Sequence, residues 1–332
     1  MISREVRLKS RPVGMPHADN FELVPVEIGT PEDGQVLVQN HWMSVDPYMR
    51  GRMHDRPSYV PPFQVGQPLQ GHAIGQVVAS NAPGFVVGDL VSSMNGWREA
   101  FVTGAAALEK LPAHADVPEQ AYLGVLGMPG LTAYSGLLEI GQPKAGETVF
   151  VSGAAGAVGS VVAQIAKIKG CTVVASAGSA AKCDWLRSIG IDHAVNYRDG
   201  DLLGQVRKAA PKGIDVYFDN VGGEHLEVAI ETARQFGRLV ECGMIASYNA
   251  TGPVPGPANI IQVVGKSLKI QGFIVTQFAS LRPQFLADMT GWIADGRIKW
   301  EETTMDGLDR AVDAFMCLFS GDNMGKMLVK LD

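Results

Sequence analysis

The sequence predicts an α/β fold in which a doubly wound parallel sheet follows a mostly β region. Residues 1–125 read as short strands interrupted by proline and glycine, the pattern of a turn-rich β region. From about residue 127, continuous apolar strand runs alternate with segments of helical periodicity, which indicates a parallel sheet covered by helices on both faces. The length of 332 residues is enough for two domains.

The first region has clear strand patterns that end at residues unfavourable to strands. Proline and glycine break the chain at Pro61-Pro62, Gly66, Pro68 and Pro83-Gly84. The predicted strands are Gln35–Asn40, Ala73–Ala79 and Asp89–Ser92.

The second region repeats a strand–helix pattern. The segment Ala157–Gly170 is predicted to be helical because its apolar residues recur at helical spacing, and a second helix is predicted at Ala180–Ile189. The predicted strands are Thr148–Ser152, Thr172–Ala175, Ala194–Asn196, Ile214–Asp219, Arg238–Glu241 and Leu268–Val275. The chain then ends with a helix at Asp309–Phe319 and a strand at Lys326–Leu331.

These patterns predict three segments along the chain. Residues 1–126 form the mostly β domain, and residues 127–275 form the doubly wound domain. Residues 276–332 form a C-terminal segment that returns to the first domain.

Composition and charge exclude several classes of protein. Hydrophobic residues make up 46% and charged residues 19%, which is ordinary for a soluble globular chain, and the net charge of −6 disfavours a nucleic-acid-binding surface. No run reaches the roughly 18 apolar residues of a membrane span, and the first thirty residues contain no signal-peptide core. Cysteines 171, 183, 242 and 317 are too few and too scattered for a disulfide framework. We therefore expect a cytoplasmic protein with reduced thiols and with neither nucleic acid nor membrane as a partner.

A glycine-rich segment between a predicted strand and a predicted helix is the strongest local motif. Thr148–Ser152 is followed by Gly153, Ala154, Gly156 and Gly159, in the strand–turn–helix context of a dinucleotide-binding fingerprint. Gly156 would let the backbone approach a pyrophosphate at the helix N-terminus, and Gly159 would let helix and strand lie close together. Ala154 stands where the fingerprint usually has its first glycine. The alternative is a turn that only packs a helix.

The end of the next strand indicates which nicotinamide cofactor is used. An NAD site usually places an acidic residue there to bind the ribose hydroxyls, but this chain has Ser179 and Lys182 and no carboxylate. An ammonium and a hydroxyl attract a 2′-phosphate, which favours NADP. Lys182 alone would also fit an ordinary solvated helix residue.

The distribution of possible metal ligands does not favour a zinc site. The first 170 residues contain no cysteine, and no cysteine cluster of a structural zinc site occurs. His72 follows Gly71 where a ligand is conceivable, but Ala73 comes next and no partner is evident. The seven histidines, at positions 17, 41, 54, 72, 114, 193 and 225, include no H-x-x-x-H pair. We expect no metal and a structural role for His72.

In the absence of a metal or a nucleophilic triad, the chemistry is expected to come from the cofactor. A hydride can be delivered directly to an electron-poor carbon, such as the β-carbon of an enone. The protein then needs only to stabilise an enolate oxygen and supply a proton, and tyrosine and asparagine side chains suit both tasks.

Several longer motifs together resemble the zinc-independent medium-chain dehydrogenase/reductases over essentially the whole chain. Within that superfamily the similarity is to the alkenal double-bond reductases, which include prostaglandin reductases and bacterial curcumin reductase. The motifs are Asp46–Met53, Leu126–Tyr134, Ala154–Gly159, Ile165–Cys171, Phe218–Gly223, Cys242–Asn249 and Gly272–Val275.

The resemblance implies a GroES-like first domain for the substrate and catalysis, a Rossmann domain that binds NADP(H), and a set of site residues. The catalytic residues that it implies are Tyr48, Tyr248 and Asn249, with Tyr248 as a proton donor or enolate-orienting group. The cofactor-binding residues that it implies are Gly153, Ala154, Gly156, Ala157, Val158, Gly159, Ser179, Lys182, Tyr197, Asn220, Cys242, Gly243, Met244, Phe273, Ile274, Val275 and Asn323. The alternatives are a packed aromatic for Tyr48 and a loop-capping residue for Tyr248.

The implied activity is NADPH-dependent reduction of the C=C bond of α,β-unsaturated aldehydes and ketones, with a small molecule as the substrate. A quinone oxidoreductase of the same superfamily and a non-catalytic NADPH-binding protein stay open as alternatives. A zinc alcohol dehydrogenase is disfavoured by the missing cysteines. The resemblance also implies a homodimer formed through the edge of the nucleotide-binding sheet, at Leu268–Val275.

Overall fold

The computed structural model describes residues 1–112 and 117–331, and in these the chain divides into two compact units. The first unit consists of Met1–Leu123, Glu302–Asn323 and Met327–Asp332, as far as they are described. The second consists of Gly124–Glu301 and Met324–Lys326. The predicted segment 276–332 is therefore divided, because residues 276–301 belong to the second unit.

The strands and helices follow in chain order. The strands are β1 (Ile2–Leu8), β2 (Phe21–Glu27), β3 (Gln35–Ser44), β4 (Ala73–Ser80), β5 (Leu90–Ser93), β6 (Ala100–Gly104), β7 (Glu109–Lys110), β8 (Thr148–Val151), β9 (Thr172–Ala177), β10 (His193–Asn196), β11 (Ile214–Asp219), β12 (Ala233–Glu241), β13 (Lys269–Gly272), β14 (Glu302–Asp306) and β15 (Lys326–Lys330). The helices are α1 (Tyr48–Arg52), α2 (Met128–Ser135), α3 (Gly159–Ile168), α4 (Ala180–Ser188), α5 (Leu202–Ala209), α6 (Glu224–Thr232), α7 (Gln262–Lys266), α8 (Arg282–Ala294) and α9 (Ala311–Ser320). Within the described part of the chain, no helix has the length and apolar character needed to cross a bilayer.

A largely antiparallel sheet forms the frame of the first unit. Its strand order is β14-β15-β3-β4-β5-β7, with β6 also paired to β3, and β1 and β2 form a separate antiparallel pair. Val36 and Val38 of β3 are fully buried on one face, which is the period-two pattern of a half-buried strand. Gly75 is required where β3 and β4 change register, because a side chain there would lie 2.9 Å from the Asn40 Cα.

The core of the first unit joins residues that are far apart in the sequence. Trp97 is fully buried and packs edge-on against Phe315 of α9, with ring centroids 6.1 Å apart. Met43, Met49 and Met53 lie in the same apolar cluster and fill the space around α1.

A parallel sheet forms the centre of the second unit. Its strand order is β10-β9-β8-β11-β12-β13, the order of doubly wound dinucleotide-binding sheets. Val149, Phe150 and Val151 are fully buried, as expected for a central strand covered on both faces. The chain adds β9 and β10 on one side of β8 and then adds β11, β12 and β13 on its other side. The carboxyl ends of β8 and β11 therefore border the crevice where ligands of such folds bind.

Two elements of the second unit differ from the sequence-based prediction. Helix α3 begins at Gly159 rather than at Ala157, because the preceding residues form turns. Strand β13 ends at Gly272 rather than at Val275. The next residue, Phe273, leaves the strand and packs edge-on against Phe218, with ring centroids 6.4 Å apart.

Helix α8 explains why residues 276–301 belong to the second unit. Its Phe285 is fully buried and lies edge-on to Tyr134, with ring centroids 5.7 Å apart. The Tyr134 hydroxyl also donates a 2.6 Å hydrogen bond to Asp288 of the same helix. These contacts attach α8 to α2.

Candidate active site

The glycine turn after β8 brings strand and helix together at very short range. Gly153 opens the turn with φ +57°, and the Ala154 N–H donates to the Ser176 carbonyl at 2.9 Å. A methyl group at Gly159 would overlap the Gly153 carbonyl oxygen and lie 2.8 Å from the Ala154 Cα. Only glycine therefore allows α3 to begin this close to the end of β8.

The N-terminus of α3 has the properties of a phosphate-binding site. Among the described residues, no side chain caps this end of the helix, where Val158 is the N-cap residue. Gly156, Ala157 and Val158 are half-buried, so their backbone can be approached from outside. The first-turn N–H groups and the helix dipole favour an anion at this position, and the residues present therefore fit the pyrophosphate of a dinucleotide.

The outer side of the turn is held by a segment from near the C-terminus. The Gly325 N–H donates to the Ala155 carbonyl at 2.8 Å, and Gly325 forms an isolated bridge with Gly156. A side chain at Gly325 would overlap the carbonyl of Glu301. This glycine is a feature of the turn that the sequence motif does not reveal.

Ser179 and Lys182 lie at the start of α4, directly after β9. Ser179 is the N-cap residue, and its hydroxyl accepts a 3.3 Å hydrogen bond from the Lys182 N–H. A hydroxyl that accepts in this way still has its own proton to donate. Both residues are half-buried, so the capping role and the binding of a 2′-phosphate are compatible.

Tyr197 lies beside the same strand end. Its hydroxyl is 2.7 Å from the position that a Gly178 side chain would occupy, so Gly178 allows the close approach. Its ring packs edge-on against His225, with ring centroids 5.1 Å apart. Tyr197 and Ser179 are thus neighbours at the carboxyl edge of the sheet.

Asn220 connects the ends of β8 and β11. Its backbone N–H donates to the Ser152 hydroxyl at 2.8 Å, and its side-chain amide donates to the Ser152 carbonyl at 2.7 Å. Its own carbonyl accepts from the Ile245 N–H at 3.3 Å. Asn220 therefore fixes local structure at the position that the sequence assigns to the cofactor.

The Cys242–Met244 turn is anchored to the end of β11. The N–H groups of Cys242 and Gly243 both donate to the Asp219 carbonyl at 3.0 Å. Burial raises the pKa of the Cys242 thiol to about 12, so this thiol is neutral at physiological pH and is a poor nucleophile. Met244 lies against Gly222, where a side chain would come within 2.9 Å of its Cβ.

Tyr248 lies over the Cys242–Met244 turn. It follows the short 3₁₀ turn Ile245–Ser247 and donates its N–H to the Ile245 carbonyl at 3.2 Å. Its hydroxyl is 2.9 Å from where a side chain at Gly243 would begin, so glycine at 243 makes room for the phenol. Tyr248 and the adjacent Asn249 are half-buried at the carboxyl edge of the sheet.

The remaining predicted cofactor residues lie in two loops. Phe273 is buried between Phe218 and Phe278, whereas Ile274 and Val275 are half-buried. Asn323 is half-buried in the loop between α9 and β15.

Tyr48 begins α1 in the first unit. Burial is the main cause that raises the pKa of its hydroxyl, the charge of Asp46 raises that pKa further, and Arg52 opposes both. Asp46 is itself buried and accepts a hydrogen bond from the Ser44 hydroxyl. Tyr48 therefore stays protonated and is a hydrogen-bond donor at neutral pH.

Arg52 is a residue of the Tyr48 environment that the sequence analysis missed. It is 5% exposed, donates to the Pro61 carbonyl at 2.9 Å and to the Gln70 amide oxygen at 2.8 Å, and lies over the Phe63 ring. Nothing local in the sequence distinguishes this buried arginine from a solvated one. Tyr59, which is 61% exposed, also interacts electrostatically with Tyr48 and was missed for the same reason.

The described residues do not assemble a zinc site. Within 1–112 and 117–331, no group of three or more His, Cys, Asp or Glu side chains could hold a metal ion. His72 is half-buried, and its backbone carbonyl accepts from the Ser44 N–H at 2.9 Å. His114 lies outside the described residues.

Two family models match the chain in regions that correspond to the two units. Residues 4–111 match a model described as the N-terminal domain of oxidoreductase, and residues 157–291 match one described as zinc-binding dehydrogenase. Among the residues that the structure describes, no group of side chains fits the zinc of that second description.

Similar proteins cover nearly the whole chain. The chain is 42% identical to an NADPH-dependent curcumin reductase of Escherichia coli K12, over 98% of this chain and 95% of that protein. It is 41% identical to a 2-alkenal reductase (NADP(+)-dependent) of Nicotiana tabacum, over 98% and 97%. The crystal structure of CurA from Vibrio vulnificus in complex with NADPH superposes with a TM-score of 0.93, at 41% identity and 99% coverage of both chains.

Proposed function

Because the chain belongs to the medium-chain dehydrogenase/reductases, in the branch of the alkenal, prostaglandin and curcumin reductases, we propose that it uses NADPH to reduce the C=C bond of α,β-unsaturated aldehydes and ketones. The observation that carries this proposal is the position of the Tyr248 hydroxyl. It lies over Gly243, at the same carboxyl edge of the sheet as the Gly153–Gly159 turn. A proton donor beside a dinucleotide site is what reduction of an enone requires.

In this proposal the residues of the second unit hold the cofactor, which when bound supplies the hydride for the β-carbon of the substrate. The α3 N-terminus binds the pyrophosphate, and Ser179 and Lys182 bind the 2′-phosphate. Tyr197 contacts the phosphate–ribose region. The nicotinamide half is flanked by Asn220, Cys242, Gly243, Met244, Phe273, Ile274 and Val275. The proposal also assigns Asn323, a residue of the first unit, to the cofactor.

The tyrosines of the proposal act as hydrogen-bond donors to the substrate. Negative charge develops on the substrate carbonyl oxygen as the hydride adds, and a phenol stabilises it because it is protonated at neutral pH. Tyr248 is the proposed donor to this oxygen or to the α-carbon, and Asn249 helps to orient the substrate. Tyr48, whose pKa is raised by burial, is a second neutral phenol that faces the substrate. No metal takes part.

The proposal also assigns roles to segments of the chain. Residues 1–126 supply the substrate and catalytic side, residues 127–275 supply the NADPH-binding side, and 276–332 complete the fold. The pairing of β15 with β3 supports a return of the final residues to the first unit.

The test is a comparison of substrates with deuterated cofactor. Purified protein is given NADPH carrying deuterium at nicotinamide C4, together with an enal, an enone or a quinone, and products are analysed by NMR. We expect deuterium at the β-carbon of the saturated aldehyde or ketone. Turnover of the quinone alone would indicate a quinone oxidoreductase, and NADPH binding without turnover of any substrate would indicate a non-catalytic protein.

We also propose that two copies of the chain form a homodimer through β13. This strand is at one end of the parallel sheet, and apolar residues are exposed beside it: Ile261 at 75%, Val264 at 77% and Ile270 at 36%. Pairing of two edge strands would bury this surface. Light scattering of the wild type, Val264→Glu and the control Val87→Glu tests this interface. We expect only Val264→Glu to be monomeric. A dimeric Val264→Glu protein would contradict the interface.

A cytoplasmic location is the remaining part of the proposal. Cys171 and Cys183 are buried as thiols. Buried thiols suit a reducing compartment. Fractionation of cells that express the protein tests this, and recovery in the membrane or secreted fraction would contradict it.

A further inference from the structure

Two carboxyl groups meet at the ends of neighbouring strands in the second unit. Asp219 is the last residue of β11, Glu241 is the last residue of β12, and the two are directly paired in the parallel register. Asp219 is fully buried, and both carboxylate oxygens of Glu241 are also shielded from solvent. Neither residue has an evident part in hydride transfer, so this buried pair needs another explanation.

The hydrogen bonds of Asp219 identify it as the charged member of the pair. Its Oδ1 accepts from the hydroxyls of Ser152 and Tyr217 at 2.9 and 2.7 Å, and from the N–H groups of Val221 and Gly222 at 2.8 Å each. Four donors on one oxygen stabilise a negative charge there. Its second oxygen, Oδ2, receives no hydrogen bond from the described residues.

Glu241 supplies the missing donor if it carries a proton. Its two oxygens also receive no hydrogen bond from the described residues, and its side chain lies within hydrogen-bonding reach of Asp219. Two ionised carboxylates side by side in a buried site would repel strongly, whereas one shared proton gives both a partner. Burial, followed by the charge of Asp219, raises the pKa of Glu241 to about 8.

Three ionisable groups that interact with the pair are neutral at pH 7. Burial lowers the pKa of His225, on α6, to about 4 and raises the pKa of the Cys242 thiol to about 12. Tyr217 on β11 is a buried phenol whose pKa is also raised by burial. Among the neighbouring elements, Lys266 of α7 donates to backbone carbonyls of α6, and β13 places Gly272 opposite Glu241. Asp219 is thus the charge that acts on Glu241.

The pair lies at the junction of three cofactor-binding loops. The Asp219 carboxylate holds the turn after β11 through Val221 and Gly222, and its backbone carbonyl holds the turn after β12 through Cys242 and Gly243. Through Ser152, it also holds the start of the glycine turn after β8.

We propose that Glu241 is a positioning residue that shares one proton with Asp219 and thereby fixes the loops that bind the nicotinamide half of the cofactor. Loss of this proton places two negative charges at the junction of the loops and weakens cofactor binding. This inference rests on the proposed function for the identity of the cofactor.

The first test measures NADPH affinity by fluorescence titration between pH 6 and pH 9. We expect the wild-type Kd to be roughly tenfold higher at pH 9 than at pH 7, with a midpoint near pH 8. Glu241→Gln keeps a donor to Asp219 but does not titrate, so its Kd should be equal at pH 7 and pH 9. Glu241→Leu, which has no donor, should bind weakly at both values. The exposed control Glu139→Gln should follow the wild type.

The second test uses the cofactor-free protein and separates this inference from the proposed function. Native Glu241 keeps its proton at pH values where the unfolded chain has lost it, so wild-type stability falls as pH rises from about 4.5 to about 8. The Tm of Glu241→Gln should therefore exceed the wild-type Tm by an amount that grows over this range. A constant difference in Tm, or an alkaline rise in Kd that persists in Glu241→Gln, would overturn the proposal. If no variant binds NADPH but the Tm difference grows with pH, the proton sharing stands and the proposed function fails.

Discussion

Alanine at Gly159 is the substitution whose effect follows most directly from the geometry of the glycine turn. A methyl group there would overlap the Gly153 carbonyl oxygen and lie 2.8 and 2.9 Å from the Ala154 Cα and the Gly153 carbonyl carbon. All of these atoms belong to the backbone, so no side chain can rotate away. The start of α3 must therefore move away from the end of β8.

The expected cost of this movement is that of overpacking a well-filled site, about 1–3 kcal/mol. In a domain of the size of the second unit, each 1 kcal/mol lowers the Tm by roughly 2–4 °C, so we expect the Tm of Gly159→Ala to fall by about 2–12 °C. Displacing the α3 N-terminus also moves the N–H groups that would bind the pyrophosphate. We expect the NADPH Kd to rise by at least about tenfold, or roughly 1.4 kcal/mol.

Gly156→Ala is the matched control in the same turn. A methyl group at Gly156 would meet only the Gly153 carbonyl oxygen, at 3.3 Å, a tight contact that a shift of a few tenths of an ångström relieves, so folding stability should fall less than in Gly159→Ala. It would nevertheless stand where the backbone approaches the pyrophosphate, so NADPH affinity should fall with a smaller loss of Tm than in Gly159→Ala.

Differential scanning fluorimetry with and without NADPH, together with fluorescence titration, measures both effects. The reasoning is refuted if Gly159→Ala has the Tm and Kd of the wild type. It is equally refuted if Gly156→Ala unfolds as easily as Gly159→Ala, because a methyl group overlaps backbone atoms only at position 159.

Three further predictions concern catalysis, cofactor choice and metal. Tyr248→Phe removes only a hydroxyl, so kcat should fall by about 10–1,000-fold with NADPH affinity nearly unchanged. If this variant reduces several enones at the wild-type rate, Tyr248 only lines the pocket and does not take part in catalysis. NADPH should be preferred over NADH by at least about tenfold in kcat/KM. Lys182→Ala should reduce this preference mainly by raising the KM for NADPH. Equal use of both cofactors by the wild type would contradict the roles of Ser179 and Lys182. Activity should survive exhaustive chelation, and stoichiometric zinc that is lost together with activity would overturn the mechanism.

Local sequence patterns were sufficient to predict the parallel sheet and its cofactor. The predicted strand Ile214–Asp219 is confirmed at the same residues as β11, and the runs at Thr148 and Thr172 are confirmed as β8 and β9. A central parallel strand is buried on both faces, so its sequence is continuously apolar and easily recognised. The glycine turn is equally easy to recognise in the sequence, because few residue types can adopt a positive φ or allow close backbone contact.

The antiparallel pair of β1 and β2 was not predicted. Strand β1 (Ile2–Leu8) mixes charged residues, including the buried Glu5, with apolar ones, and its partner β2 is far enough away in sequence that no hairpin signal joins them. The predicted strand Leu268–Val275 was too long, because Phe273 leaves the sheet to pack on Phe218. Helix α8 was not predicted, and its contact with Tyr134 assigns residues 276–301 to the second unit.

The sequence by itself determined the fold class, the nucleotide turn and the choice of NADP, because each depends on residues that are close together along the chain. Only the tertiary structure revealed that Arg52 is buried beside Tyr48 and that Asp219 and Glu241 face each other. In the sequence, these are ordinary charged residues that would normally be solvated. Strand register brings these residues together, and burial removes them from water. No local sequence pattern encodes either effect, and both alter the protonation and the hydrogen bonding of these side chains.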